Sequence, residues 1–113
     1  MTVEEPEPLI GKQEIFRGSI LEFIHRVGMP VSMNDIYAAY QNRSAHGISR
    51  NINHLFSWSL IERVTPSTVQ ITDAGIEHYK IIARVAAKKP LLHPLMERLK
   101  QDIIYKKENE NED

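Results

Sequence analysis

The chain of 113 residues is long enough for one hydrophobic core but too short for two domains. Its 14 basic and 15 acidic residues give a net charge of −1, yet residues 1–8 and 108–113 hold seven of the acids and no base. Residues 9–107 therefore carry a net charge of +6, and this basic body favours a polyanionic partner.

The composition also argues against several classes of protein. The sequence has no cysteine, which excludes disulfides and thiolate metal sites and agrees with a reducing cytoplasm. No apolar run approaches the roughly 20 residues that a membrane helix needs, and the acidic N-terminus does not resemble a signal peptide. We therefore expect a soluble, cytoplasmic protein that does not engage a membrane.

The first predicted helix follows a polar arm. Residues 1–9 combine acids with two prolines and show no hydrophobic period, which predicts a disordered acidic arm. Apolar residues then recur at helical spacing from Lys12 to Val27, and Gly28 is placed to end that helix. The apolar stripe of this helix consists of Phe16, Ile20, Phe23, Ile24 and Val27.

Two further helices are predicted before the middle of the chain. The capping-box pattern of residues 32–35 predicts a second helix over about residues 33–41. A short polar turn follows, and Ser44 is placed to cap a third helix of about residues 45–58. One face of the third helix is apolar and must be buried, through Ile48, Ile52, Leu55 and Phe56.

A β-hairpin and a fourth helix come next. Two β-prone runs, residues 60–64 and 69–72, flank a turn that contains Pro66, which predicts the hairpin. A capping residue at the end of the second run then begins a fourth helix of about residues 74–88.

Pro94 favours the first turn of a fifth helix that runs from Leu95 to about Lys107. This helix is amphipathic, with an apolar stripe of Leu92, Leu95, Met96, Leu99 and Ile103. A small three-helix core with a hairpin does not need another amphipathic helix, so we expect the stripe to form a homodimer contact. The alternative is that this helix folds back on its own domain.

The sequence ISRNINHLFSWSLIERV, followed by VQITDAG, resembles the recognition helix and wing of winged helix-turn-helix regulators. It is similar to the multiple-antibiotic-resistance repressor type and to small archaeal winged-helix DNA binders. The resemblance covers about residues 12–89 and implies a mainly α fold with a small β-hairpin, in which a short strand near residues 29–31 pairs with the hairpin. The domains expected from it are a winged-helix domain of residues 10–89, an additional C-terminal helix of residues 90–107 and a disordered acidic tail of residues 108–113.

Two positions depart from the family pattern. Ser59 stands where such proteins usually carry the glycine that ends the recognition helix, and a residue with a side chain is disfavoured in the left-handed conformation needed there. The wing tip, residues 65–68, has no lysine or arginine. This tip therefore argues against reading of the minor groove by the wing.

The polar face of the third helix and its flanks suggest contacts with duplex DNA. Arg50 and Asn53 have the chemistry to pair bidentately with guanine and adenine edges, and His46 suits a purine acceptor. For each candidate the alternative is a solvated surface residue without a function. The remaining candidates, expected to hold phosphates or to extend this face, are Arg43, Ser44, Ser49, His54 and Arg63.

Motifs for catalysis or metal binding are missing from the sequence. The five histidines show no H-x-x-x-H or H-E-x-x-H spacing. There is also no G-x-x-x-x-G-K-[ST] loop, no G-x-G-x-x-G and no G-x-S-x-G elbow. We therefore expect no enzyme activity, no metal and no cofactor.

These patterns favour a dimeric, sequence-specific, duplex DNA-binding transcriptional regulator with its recognition helix in the major groove. Two such subunits would read half-sites about 10 base pairs apart. The alternatives are a winged-helix protein-interaction module and an architectural DNA-binding protein. The sequence specifies neither the operator nor an effector ligand.

Overall fold

The computed structural model describes residues 11–86 and 90–110. The expected arm of residues 1–9 and the predicted end of the fourth helix lie outside the described residues. The described residues form five α-helices and a three-stranded antiparallel sheet. The helices are α1 (Lys12–Val27), α2 (Met33–Ala39), α3 (Ala45–Ser57), α4 (Asp73–Val85) and α5 (Pro94–Glu110), and the strands are β1 (Val31–Ser32), β2 (Ile61–Thr65) and β3 (Thr68–Ile71).

The predicted bounds of the first helix are confirmed, and Gly28 ends it in the left-handed conformation with φ 73°. The capping box of α2 is also confirmed, but α2 ends at Ala39, two residues before its predicted end. Tyr40 leaves the helix because its ring packs edge-on against Phe16, with 4.7 Å between centroids, and its hydroxyl lies 2.7 Å from Ser19 Oγ. Burial raises the pKa of Tyr40, so the hydroxyl stays protonated in this contact.

The sheet has the strand order β1-β3-β2, and both pairs of neighbouring strands are antiparallel. β1 pairs with β3 through Val31 opposite Val69, which is the short strand that the resemblance implies. The hairpin turn is tighter than predicted because the hydroxyl oxygens of Thr65 and Thr68 lie 2.7 Å apart across it. Only two residues remain at the tip.

Hydrogen bonds join the end of α3 to the hairpin and to α4. Thr72 Oγ1 donates to the carbonyl oxygen of Ser59 at 2.7 Å and accepts the Gly75 amide at 3.1 Å. The Thr72 amide donates to the carbonyl oxygen of Leu60 at 3.1 Å. A Cβ atom at Gly75 would lie 2.2 Å from that oxygen, so glycine allows α4 to approach the start of β2.

The end of α3 is a Schellman motif with serine at the position that glycine usually takes. Ser59 has φ 58°, and no other non-glycine residue in the described ranges has a positive φ. The Ser59 amide donates to the carbonyl oxygen of Phe56 at 3.0 Å, and the Leu60 amide donates to that of Leu55 at 2.9 Å. The helix therefore ends where the family pattern predicts, although the residue there is not glycine.

Replacing Ser59 by glycine is expected to raise the free energy of unfolding by about 1 kcal/mol. The left-handed conformation costs a residue with a Cβ roughly 1–2 kcal/mol, and the greater chain entropy of glycine offsets part of the gain. Urea denaturation measures the change. Ser57→Gly, inside the last turn of α3, is the matched control and should lower stability by up to about 1 kcal/mol; a loss in both variants would contradict the argument.

α1 is the central helix of the core, and α3, α4, α5 and β3 pack around it. Leu21 lies beside the predicted apolar stripe, yet it is as fully buried as the stripe itself because these neighbours cover more than one face. The most deeply buried side chains of α1 are Ile20, Leu21, Phe23 and Ile24.

α5 folds back on the core of its own chain, where it packs against α1 and α2. Leu92, Met96 and Ile103 are buried in the same cluster as the α1 side chains. Leu95, which belongs to the predicted stripe, is instead 65% exposed. Because α1 and α2 cover most of this stripe, it does not by itself require a second copy of the chain, and a homodimer stays a prediction.

The last described residue of α4 is Val85, and the helix is followed by the C-cap Ala86. The predicted end of α5 differs from the observed one. α5 continues to Glu110, so residues 108–110 of the expected acidic tail are helical. Lys107 Nζ donates to the carbonyl oxygen of Pro30, and this bond fastens the last turns of α5 to the loop before β1.

A buried carboxylate holds the start of α5 in place. Glu22 on α1 is only 3% exposed. Its Oε2 accepts the backbone amides of Leu91 and Leu92 at 2.6 and 3.0 Å, and its Oε1 pairs with the Arg26 guanidinium at 3.0 Å. Arg26 also bonds to Glu97 on α5. A single acid thus ties α1 to the loop that leads into α5.

Removal of the Glu97 charge is expected to weaken the fold at neutral pH but not in strong acid. The hydrogen bond from Lys100, at 2.9 Å, and the nearby Arg26 hold the pKa of Glu97 below its ordinary value. A lowered pKa adds stability that is fully present above the unfolded pKa of about 4.3 and is lost as the pH falls through the folded value. Denaturation of wild type and Glu97→Gln across pH 2–7 tests this, and a difference that persists at pH 2 would contradict it.

Candidate nucleic-acid interface

α3 is amphipathic, and its apolar face is the one predicted. Ile48, Ile52 and Leu55 are buried in the core, and Phe56 is half-buried. The chain has no acidic residue between Asp35 and Glu62, a stretch that includes all of α3. The solvent-facing side of this helix is therefore made of neutral and basic groups only.

All three predicted base-reading residues lie on that side. His46, Arg50 and Asn53 are exposed. Within the described part of the chain, none of their side chains makes a hydrogen bond, an ion pair or a ring contact. Their donors and acceptors are therefore available to an external partner. Ser49, which was expected to hold a phosphate, is half-buried.

The N-terminus of α3 is capped as predicted. Ser44 Oγ accepts the Gly47 amide at 3.0 Å, so this hydroxyl is occupied by the cap. The amides of Ala45 and His46 have no hydrogen-bond partner among the described residues. These two amides, at the positive end of the helix dipole, are the groups best suited to an anion here.

Arg43 and Arg63 are exposed but rest on aromatic rings instead of joining the α3 face. The Arg43 guanidinium carbon lies 3.8 Å from the centroid of Phe16, where it lines a groove with His93 of the loop before α5. The Arg63 guanidinium carbon lies 4.7 Å from the centroid of Phe56. Stacking leaves the edge of a guanidinium free to donate, so both arginines keep donors for an external partner.

Arg63 is also tied to the wing, because its Nη1 donates to the carbonyl oxygen of Pro66 at 3.1 Å. This bond supports the uncharged tip at its base. The expected role of Arg63 at a phosphate would use the remaining guanidinium donors.

His54 connects α3 to a cluster that the sequence did not predict. Its ring lies 5.3 Å from that of Trp58, and Trp58 lies 6.1 Å from His78 on α4. The guanidinium carbon of Arg17, on α1, lies 5.6 Å from the Trp58 centroid. Trp58 itself is 49% exposed. Three elements thus supply a basic or titratable group to one surface tryptophan.

Asn51 was also missed, because it lies on the buried side of α3. It is 4% exposed. Its Oδ1 accepts Arg17 Nη1 at 3.1 Å, and its Nδ2 donates to Gln13 Oε1 at 3.1 Å and to the carbonyl oxygen of Gly47 at 2.8 Å. Asn51 therefore fixes both the orientation of α3 on α1 and the position of Arg17.

The described residues offer neither a metal site nor a membrane-spanning helix. No group of three or more histidines and carboxylates there could hold a metal ion. None of the described helices combines the length and the apolar character needed to cross a bilayer. A scan against protein-family models and searches of the curated proteins and the solved structures found no match to this chain.

Proposed function

We propose that the chain is a winged-helix protein that binds duplex DNA through α3 and acts as a sequence-specific transcriptional regulator. The order of helices and strands from α1 to α4, with β1 on the hairpin, agrees with the resemblance to winged helix-turn-helix regulators. In this fold the third helix enters the major groove and the hairpin is the wing.

One observation carries the proposal. The exposed side of α3 holds His46, Arg50 and Asn53 with their hydrogen-bonding groups unused within the described residues, on a stretch of chain without acids. In solution these three side chains form hydrogen bonds with water. Burying them against a partner is favourable only when the partner supplies new hydrogen bonds in place of those. The edges of bases and the phosphates of DNA supply those partners.

The proposed contacts with DNA are of two kinds: contacts with base edges, which give sequence specificity, and contacts with phosphates, which position the protein. Arg50 and Asn53 are the candidates for guanine and adenine edges in the major groove. The free amides at the start of α3 are the candidates for a phosphate, since Ser44 is occupied as a cap. The wing tip has no basic residue, so most of the affinity should come from α3 and its flanks.

Two copies would read half-sites about 10 base pairs apart if the regulator is dimeric. Because the apolar stripe of α5 is largely covered by its own chain, a homodimer would have to form through other surfaces. Exposed apolar side chains on α4 and α5, including Ile81, Leu95 and Tyr105, remain available for such a contact.

The deciding experiment is a selection from a random duplex library with the purified protein, followed by titration of the selected site at about 50 to 200 mM salt. A DNA-binding protein must lose affinity steeply as the salt concentration rises. Failure to bind any duplex at low salt would contradict the proposal and favour a protein-interaction module. Equal affinity for all duplexes would instead indicate an architectural DNA-binding protein.

Arg50→Ala is expected to weaken binding to the selected site by about 1–3 kcal/mol, because a bidentate contact with a base is lost. Binding to an unrelated duplex should change much less. Arg98→Ala, an exposed arginine on α5, is the matched control for loss of one positive charge. An equal loss on every duplex would make Arg50 a phosphate contact and contradict the base-reading role.

A further inference from the structure

Trp58 is an exposed aromatic side chain that the function of α3 does not explain. It is the chain's single tryptophan, and it stands at the C-terminal end of α3 with 49% of its surface exposed. Tryptophan is enriched at interfaces, because it combines a large apolar face with an N–H donor.

The groups around Trp58 are basic or titratable and come from different elements. Arg17 of α1 lies 5.6 Å from the ring centroid, and the rings of His54 and His78 lie 5.3 and 6.1 Å away. The indole N–H has no hydrogen-bond partner among the described residues. The surface therefore offers an aromatic face, a free donor and a fixed positive charge.

The side chain of Arg17 is fixed by a hydrogen bond to Asn51 and keeps donors for an external anion. One of its nitrogens donates to the buried Asn51, which in turn is bonded to Gln13 and to the backbone of α3. A guanidinium has five N–H donors, so others remain for a partner. Because Asn51 is almost fully buried, Arg17 loses little freedom when a ligand binds.

Arg17 and His78 are not paired with an acid. Within the described ranges, no ion pair joins an acid to either residue. The acids on α1 and α4 nearest to these two residues in sequence are Glu14, Asp73 and Glu77.

The geometry points to a phosphate-binding flank of the DNA interface, formed by Trp58, Arg17 and His78, which extends the contact of α3 along the DNA backbone. This inference rests on the proposed function. Continuity favours the duplex as the partner, because His54 lies on α3 and its ring touches Trp58. The indole N–H and the Arg17 guanidinium would donate to phosphate oxygens, as neutral and charged donors commonly do on DNA.

The single tryptophan gives a direct test. Quenching of its fluorescence by acrylamide, a neutral quencher, is measured for wild type with and without a duplex of about 20 base pairs, roughly two helical turns. A bound phosphate backbone should cover the ring and lower the quenching constant about two-fold or more. The test needs no mutation, so it does not depend on the folding of a variant.

Arg17→Ala gives a second measurement. Its loss should weaken duplex binding several-fold at low salt and reduce the slope of log affinity against log salt by about 0.9, the value for one phosphate contact. Arg98→Ala is the control and should leave the slope unchanged. Trp58→Phe keeps the ring but removes the N–H donor, and it should weaken binding by a smaller factor.

The outcomes separate this inference from the proposed function. Duplex binding with unchanged quenching of Trp58 overturns the inference alone. A complete lack of duplex binding at low salt overturns both. Tighter binding to the single strand than to the duplex, with Trp58 protected, overturns the duplex assignment and indicates base stacking on the indole. Protection by the duplex together with the smaller salt slope of Arg17→Ala supports the inference.

Discussion

Replacing Glu22 by glutamine is expected to lower the free energy of unfolding by about 3 kcal/mol. The Glu22 carboxylate accepts two backbone amides and pairs with Arg26 in a nearly dry environment. A glutamine of the same shape keeps one acceptor oxygen, and its NH₂ group then faces a donor. At least one buried amide or the guanidinium would therefore lose its partner, and α5 would be held less firmly on α1.

Urea denaturation monitored by circular dichroism measures this loss. Glu97→Gln is the matched control, because Glu97 also pairs with Arg26 but lies at the surface with about a third of its side chain exposed. Its loss should be much smaller. Similar losses in the two variants would show that the buried amides of Leu91 and Leu92 do not depend on Glu22.

Gly75→Ala is expected to destabilise the protein by about 3 kcal/mol or more. The added Cβ would meet the carbonyl oxygen of Leu60 at 2.2 Å and a side-chain carbon of Ile71 at 2.7 Å. A backbone oxygen cannot rotate away as a flexible side chain can, so α4 must shift relative to β2. The shift would also disturb the bonds of Thr72 that fasten the hairpin to the end of α3.

Thermal or urea denaturation gives the magnitude. Gly11→Ala is the control, since a Cβ at Gly11 meets no atom within 4 Å. Gly11 is the N-cap of α1, where alanine is disfavoured, so this variant should lose up to about 1 kcal/mol. A Gly75→Ala variant as stable as Gly11→Ala would mean that α4 moves away from Leu60 without cost.

The features that the sequence predicted correctly depend on local signals. The α1 helix between Lys12 and Val27, the capping box of α2 and the cap of α3 at Ser44 are each decided by residues within one or two turns. The hairpin follows from two β-prone runs around a proline. These patterns can be recognised without knowledge of the rest of the chain.

The packing of α5 on α1 could not be predicted from local sequence patterns. Its anchor is Glu22, which lies about 70 positions away from the amides it accepts. In the sequence Glu22 looks like one more charged residue on the polar side of α1. The amphipathic pattern of α5 predicts a buried stripe but not whether its own chain or another copy covers it.

In the candidate site, too, some residues could be predicted from local spacing and others only from the fold. Helical spacing predicted that Arg50 and Asn53 face solvent, and they do. Spacing gave no indication of a role for Trp58 or Arg17. These two residues are close together only because of the way α3 packs on α1. Arg43 was expected beside α3, yet it stacks on Phe16, an aromatic neighbour that only the fold brings close.

The return of α5 over α1 means that one chain completes its own interior. We therefore expect a single copy to fold alone, with a free energy of unfolding that does not change with protein concentration. If the chain is the dimeric regulator proposed above, two copies would each be folded before they meet on the DNA.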